Sequence, residues 1–145
     1  MKQSGFTLME IVCVIVIISM LAAVSLPSIH KARNKAAIVK TKAIISSIEA
    51  AVLMYQTDMG NFPESNGSSQ ILIQALMGPF HDENWKGPYM RFKEKDMDDA
   101  KNIIDSWGNP LIYEYPQSKK ENVPFLILSA GPDRKTDTKD DIGNW

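Results

Sequence analysis

Hydrophobic residues are unevenly placed along the chain: Phe6 to Leu26 is apolar almost throughout, whereas the remainder is polar and rich in turn formers. Within that stretch Ile11-Val12-Cys13-Val14-Ile15-Val16-Ile17-Ile18 is apolar on every side, so a helix built from it has no face for water. With its flanks the run reaches the roughly 20 residues that carry a helix across a hydrocarbon core, and a transmembrane helix is predicted. Thr7, Ser19 and Ser25 can return their hydroxyls to backbone carbonyls, which leaves Glu10 as the single formal charge in the run.

Two readings of Glu10 stand side by side. Thr7-Leu8-Met9-Glu10 matches the Ser/Thr-x-x-Glu capping box, which satisfies two orphan backbone donors at a helix start. Alternatively, an acid in an apolar helix, penalised by about 2 to 3 kcal/mol near the bilayer centre and less near its edge, awaits a cationic partner. A secretory signal peptide with Lys2 as its basic region and Ala23-Val24-Ser25 as its cleavage site fits poorly. An acid directly before the apolar core is foreign to such peptides, and the run exceeds their usual apolar length.

Pro27 closes the apolar run and predicts a kink, not necessarily an end. From Ser28 to about Thr57 the pattern turns amphipathic, with Ile38, Ile45, Ile48, Val52 and Tyr55 at helical spacing and Lys31, Lys35, Lys42 and Glu49 left for solvent. If one helix runs from Phe6 to Thr57, it is about 78 Å long at about 1.5 Å per residue. After Asp58 the chain is punctuated by Gly60, Pro63, Gly67, Gly78, Pro79, Gly87 and Pro88. A short helix is predicted at Ile71 to Met77, and two strands at Leu111 to Tyr115 and Phe125 to Ser129. Turn residues Asp105 to Pro110 precede the first strand, with Trp107 large enough to anchor sheet to helix. The predicted class is α+β: a long N-terminal helix carrying a small antiparallel sheet.

Composition narrows the function. A chain of 145 residues suits one modest domain, and a net charge of −1 lacks the broad attraction of a nucleic-acid binder. The lone Cys13 cannot close an intramolecular disulfide, and His30 and His81 are too few for a histidine-rich metal site. His81-Asp82-Glu83 reads as a solvated loop, and no phosphate-cradling glycine motif or nucleophile with its base occurs, so an enzyme is not expected.

One acidic loop remains. Ser129 to Asp141 holds Asp133, Asp137, Asp140 and Asp141, and hard oxygen ligands in a flexible loop suit calcium. It is not an EF-hand, because Thr138 stands where that loop needs glycine. Arg134, Lys135 and Lys139 also permit a loop that neutralises itself through exposed ion pairs, and composition alone favours that reading.

Ser4-Gly5 followed by Phe6-Thr7-Leu8-Met9-Glu10 resembles the cleavage and methylation motif of type IV pilin-like proteins. Similarity continues through Asp58-Met59-Gly60-Asn61-Phe62-Pro63, Gln74-Ala75-Leu76, Trp85-Lys86-Gly87-Pro88-Tyr89, Asp105 to Pro110 and Asp140-Asp141-Ile142-Gly143-Asn144-Trp145. Across nearly the whole chain, the resemblance is to the major pseudopilins of type II secretion.

That resemblance implies a leader, residues 1–5, cut between Gly5 and Phe6 by a prepilin peptidase, with N-methylation of the new Phe6 amine. It implies a membrane and assembly segment at 6–27, ending at Pro27, and a periplasmic domain at 28–145. The acid matching Glu10 pairs in that family with the Phe6 amine of an adjacent subunit in a homopolymer, the periplasmic pseudopilus. Minor pseudopilins, an inner-membrane assembly platform and its ATPase are the other implied partners, and the inner membrane holds the chain beforehand. Calcium is the implied structural ion, held by Asp133, Asp140 and Asp141 and the backbone carbonyls of Ala130 and Thr138. The chain departs from its relatives in carrying Arg134 to Lys139 in place of a glycine-rich stretch, and Ser106 in place of proline. The implied topology also runs against positive-inside counting, since Lys2 precedes the apolar run while Lys31, Arg33, Lys35, Lys40 and Lys42 follow it. Two alternatives stay open: the subunit of a surface pilus, and a membrane-anchored calcium-binding module that never polymerises.

Overall fold

The computed structural model describes residues 7–78 and 82–145, with the backbone alone at 24–27 and 66. In order, its elements are α1 (Leu8–Met59), β1 (Ser65–Asn66), α2 (Gln70–Met77), a 3₁₀ turn (Glu94–Asp96), β2 (Ile112–Tyr115), β3 (Leu126–Ser129) and β4 (Ile142–Gly143). The chain divides into two compact units, one ending at Ala36 and the other spanning Ala37–Trp145.

The first unit is helix. α1 passes through Pro27 without ending, as the lone missing N–H of a proline permits where the flanking ladder holds. Its large apolar side chains face outward, Leu8 at 84% and Ile18 at 59% exposure, so the run has length and composition to cross a membrane and is not core. Ser19 donates its hydroxyl to the Ile15 carbonyl at 2.7 Å, the internal satisfaction an apolar surrounding demands.

In the second unit the later turns of α1 bury Ile45, Ile48, Ala51, Val52 and Tyr55, while Ile38 is half-buried. That stripe follows the 3.6-residue period and packs with Leu72 and Leu76 of α2 and with Tyr113, Phe125 and Ile127 around β2 and β3. The sheet runs β1-β2-β3-β4, each pair antiparallel, with Tyr113 opposite Ile127 and Ser129 opposite Ile142. β3 is buried throughout, which explains its unbroken apolar spelling. β1 and β4 were not predicted: each is two residues long, too short for any alternation.

Tyr113 is fully buried and donates its hydroxyl to the Pro63 carbonyl at 2.8 Å, and burial pushes its phenol up. Phe62 packs between Tyr115 and Phe125, with ring centroids 5.1 and 5.0 Å away. Trp85 donates its indole N–H to the Ala75 carbonyl, and the side chain of Tyr89 donates to Asp58 at 2.7 Å. The run Trp85 to Tyr89 thereby ties the segment after α2 back to the end of α1. Trp107 is half-buried against the core, while its loop is fixed chiefly by Asp105.

Candidate functional site

At the start of α1, Thr7 supplies half of the capping arrangement. Its hydroxyl and its carbonyl both accept from the Glu10 N–H, at 3.3 and 3.1 Å. The Glu10 carboxylate is exposed, and among the described residues no cation lies within ion-pair distance of it. The helix start is therefore capped by Thr7, with the Glu10 charge left over. Gly5 and Phe6 lie outside the described residues.

The C-terminal loop begins where β3 ends, and one buried carboxylate fixes its entrance. Asp105, 5% exposed, accepts four hydrogen bonds: Trp107 N–H and Asn109 N–H at 2.8 Å, Asn109 Nδ2 at 3.2 Å and the Ser129 hydroxyl at 2.6 Å. Asn109 Nδ2 also donates to the Gly131 carbonyl at 2.8 Å. A turn read from sequence as a strand lead-in is thus a clamp on the loop that follows β3, visible only once the topology brings Ser129 beside it. Ser106 donates its N–H to the buried Thr41 hydroxyl at 3.2 Å, and that hydroxyl donates to Ser106 Oγ at 3.0 Å. Proline has no N–H to offer there.

Beyond the clamp, Gly131 takes φ +64, and a Cβ on it would lie 2.5 Å from the Asp140 carbonyl oxygen. Both conditions require glycine. Gly131→Ala is expected to cost about 2 kcal/mol or more, read as a lower Tm, because it combines left-handed strain with a backbone clash.

The loop draws its carboxylates inward onto its own N–H groups. Asp133 donates its N–H to Asp140 Oδ2 at 3.3 Å, and the Thr138 hydroxyl donates to Asp140 Oδ1 at 2.7 Å. Hydrogen bonding, led by Thr138, holds the Asp140 carboxyl below its ordinary range. Asp141 Oδ2 accepts from the N–H groups of Asp137 and Thr138, at 2.8 and 3.3 Å, and Asp133 Oδ1 accepts from Lys135. Asp141 Oδ1 is buried with no partner. Ala130 is buried at the end of β3, and Thr138 is half-buried in the loop.

Among the described residues no ion pair joins Arg134, Lys135 or Lys139 to the loop aspartates, which weighs against a self-neutralising loop. An all-oxygen donor set with one orphaned buried carboxylate oxygen fits a hard cation. Among the described residues no three acidic, histidine or cysteine side chains converge as a ready metal cluster, so the donors are present in one loop without being gathered. Arg134 at φ 62 and Asp137 at φ 65 occupy the left-handed region, which glycine enters without strain.

Comparison with known proteins gives two family matches. "Type II secretion system (T2SS), protein G" matches residues 28–145, and "Prokaryotic N-terminal methylation motif" matches residues 1–26. The chain is a type II secretion system protein G family member. Type II secretion system core protein G of Pseudomonas aeruginosa is 35% identical over 148 residues, 99% of this chain and 96% of that protein. Its counterpart in Escherichia coli strain K12 is 35% identical over 145 residues, 99% of this chain and 92% of that one. The crystal structure of the major pseudopilin of enterohaemorrhagic Escherichia coli is similar at 24% identity and TM-score 0.49, covering 80% of this chain and 92% of that chain.

The protein G family is one of type II secretion system core proteins, so the chain is a structural component and not an enzyme. The methylation motif together with the outward-facing apolar helix fits a membrane-anchored protein.

Proposed function

We propose that this chain is the major subunit of a periplasmic pseudopilus that serves protein export by type II secretion. Family membership supports the reading, and the observation that carries its mechanism is Glu10: a charge in an apolar helix whose own cap does not use it. In the membrane that carboxylate is a liability; beside the cleaved Phe6 amine of an adjacent subunit it gains a partner. The same residue thus disfavours the free subunit, favours the polymer and fixes axial register. Cleavage between Gly5 and Phe6 by a prepilin peptidase creates that amine, and Pro27 lies at the end of the segment that leaves the lipid. A homopolymer joined by minor pseudopilins, on an inner-membrane platform served by a separate ATPase, is the assembly this predicts. The domain after Pro27 would sit in the periplasm, anchored to the inner membrane before assembly.

Intact mass of the protein recovered from membranes tests the processing. The expected species lacks Met1 to Gly5 and carries one added methyl group; an uncut chain, or one starting at Leu26, overturns it.

We also propose that Asp133, Asp140 and Asp141, with the carbonyls of Ala130 and Thr138, hold calcium. The orphaned Asp141 Oδ1 supports this reading. A bound ion would supply a crosslink that closes the loop where no disulfide is available. Chelation is expected to lower Tm by about 8 °C, and Asp133→Ala to remove that difference. Equal Tm with and without chelator in the parent contradicts the site.

A further inference from the structure

We infer that Lys31, Arg33 and Lys35 form a collar that selects anionic phospholipid headgroups around the helix where it leaves the bilayer; this rests on the reading that the apolar run lies in a membrane. All three side chains are exposed, and among the described residues none makes an ion pair. No acid occurs between Glu10 and Glu49, so along α1 the nearest carboxylates stand about 20 Å or more from the collar. That exceeds the Debye length of about 8 to 10 Å at physiological salt, and the positive field is not cancelled from within the helix.

Placement and direction both match a headgroup layer. At about 1.5 Å per residue, Lys31 stands about 7.5 Å beyond Leu26, Arg33 about 10.5 Å and Lys35 about 13.5 Å. The polar layer is about 5 to 7 Å deep on each side, so Lys31 lies at its outer edge. Arg33 and Lys35 reach back toward it with long side chains, across less than a Debye length. With about 3.6 residues per turn, Lys31 and Lys35 share one side of α1 and Arg33 points nearly opposite. A protein partner lying along one face would meet one group or the other, whereas a lipid layer encircles the helix and meets all three.

The test uses the full chain inserted into vesicles of equal parts phosphatidylglycerol and phosphatidylcholine, with native mass spectrometry of the lipids that stay bound. The parent is expected to retain phosphatidylglycerol over phosphatidylcholine at least about threefold, and Lys31→Gln/Arg33→Gln/Lys35→Gln to retain them equally while still floating with the vesicles. Equal retention by the parent, or a preference that survives in the triple variant, overturns the collar. Loss of the preference on adding inorganic phosphate overturns it too, by marking a site for the free anion. If the triple variant keeps its lipid preference but no longer assembles, the cations serve a neighbouring subunit and the collar is likewise rejected. A parent chain that floats with no vesicle strikes down the membrane reading and the collar with it.

Discussion

Glu10→Ala is expected to abolish filament assembly while leaving the Tm of the unit Ala37–Trp145 unchanged. Two effects push the same way. Removing the carboxylate takes away the partner of the neighbouring amine, and it also relieves the membrane-bound subunit of a penalty of up to about 2 to 3 kcal/mol, less near the bilayer edge. The free subunit is stabilised and the polymer destabilised, so the equilibrium shifts by more than the ion pair alone. Glu10→Gln is the sharper control, because it retains hydrogen-bonding capacity and removes only charge; it is expected to fail in assembly as well. The Thr7 hydroxyl caps α1 in either variant, so helix content by circular dichroism should hold. Sedimentation of sheared filaments measures the effect, and parent-like yield from Glu10→Gln would show that charge is not what joins subunits.

Asp105→Ala is expected to have the largest effect on stability, about 3 to 5 kcal/mol, read as a fall in Tm of 10 °C or more, about the scale for a domain of this size. Its carboxylate accepts from four donors, two of them backbone N–H groups, and alanine would leave buried donors unpaired. Asp105→Asn keeps the shape and part of the acceptor capacity, so an intermediate loss is expected. The consequence extends past the clamp. Ser129 and the Gly131 carbonyl lead into the aspartate loop, so Asp105→Asn should also weaken the dependence of Tm on calcium, although Asp105 is not one of the proposed ligands. Thermal unfolding of both variants with and without chelator reads the two effects together; an unaltered calcium response in a destabilised Asp105→Asn would separate clamp from loop.

Long, periodic elements were legible from the sequence, and sites made by distant residues were not. The apolar run and the stripe from Ile38 to Tyr55 fixed α1 to within two residues, Leu8–Met59 against Phe6 to Thr57, because period and composition agree over many turns. α2, β2 and β3 likewise fall within a residue of the expected spans. β1 and β4 escaped, since two residues that gain strand character from a neighbour's ladder carry no signal of their own. Asp105 escaped for a different reason: aspartate before Ser-Trp-Gly-Asn-Pro is ordinary turn chemistry, and only the fold reveals that Ser129, 24 residues on, donates to it. The pairing of Ser106 with Thr41, 65 residues away, likewise appears only in the fold. For the aspartate loop, composition favoured exposed ion pairs over an ion site. Among the described residues no ion pair joins Arg134, Lys135 or Lys139 to the loop aspartates, and Asp141 Oδ1 has no partner, which is why calcium is proposed there.

The central claim is polymerisation through the charge at Glu10, and electron microscopy of cells producing this chain with its peptidase and assembly machinery tests it most directly. The account predicts thin helical filaments that label with antibody to this chain and vanish in Glu10→Ala cells holding the same amount of processed subunit. Processed chain found only as single subunits in the membrane, or filaments undiminished by Glu10→Ala, would contradict it.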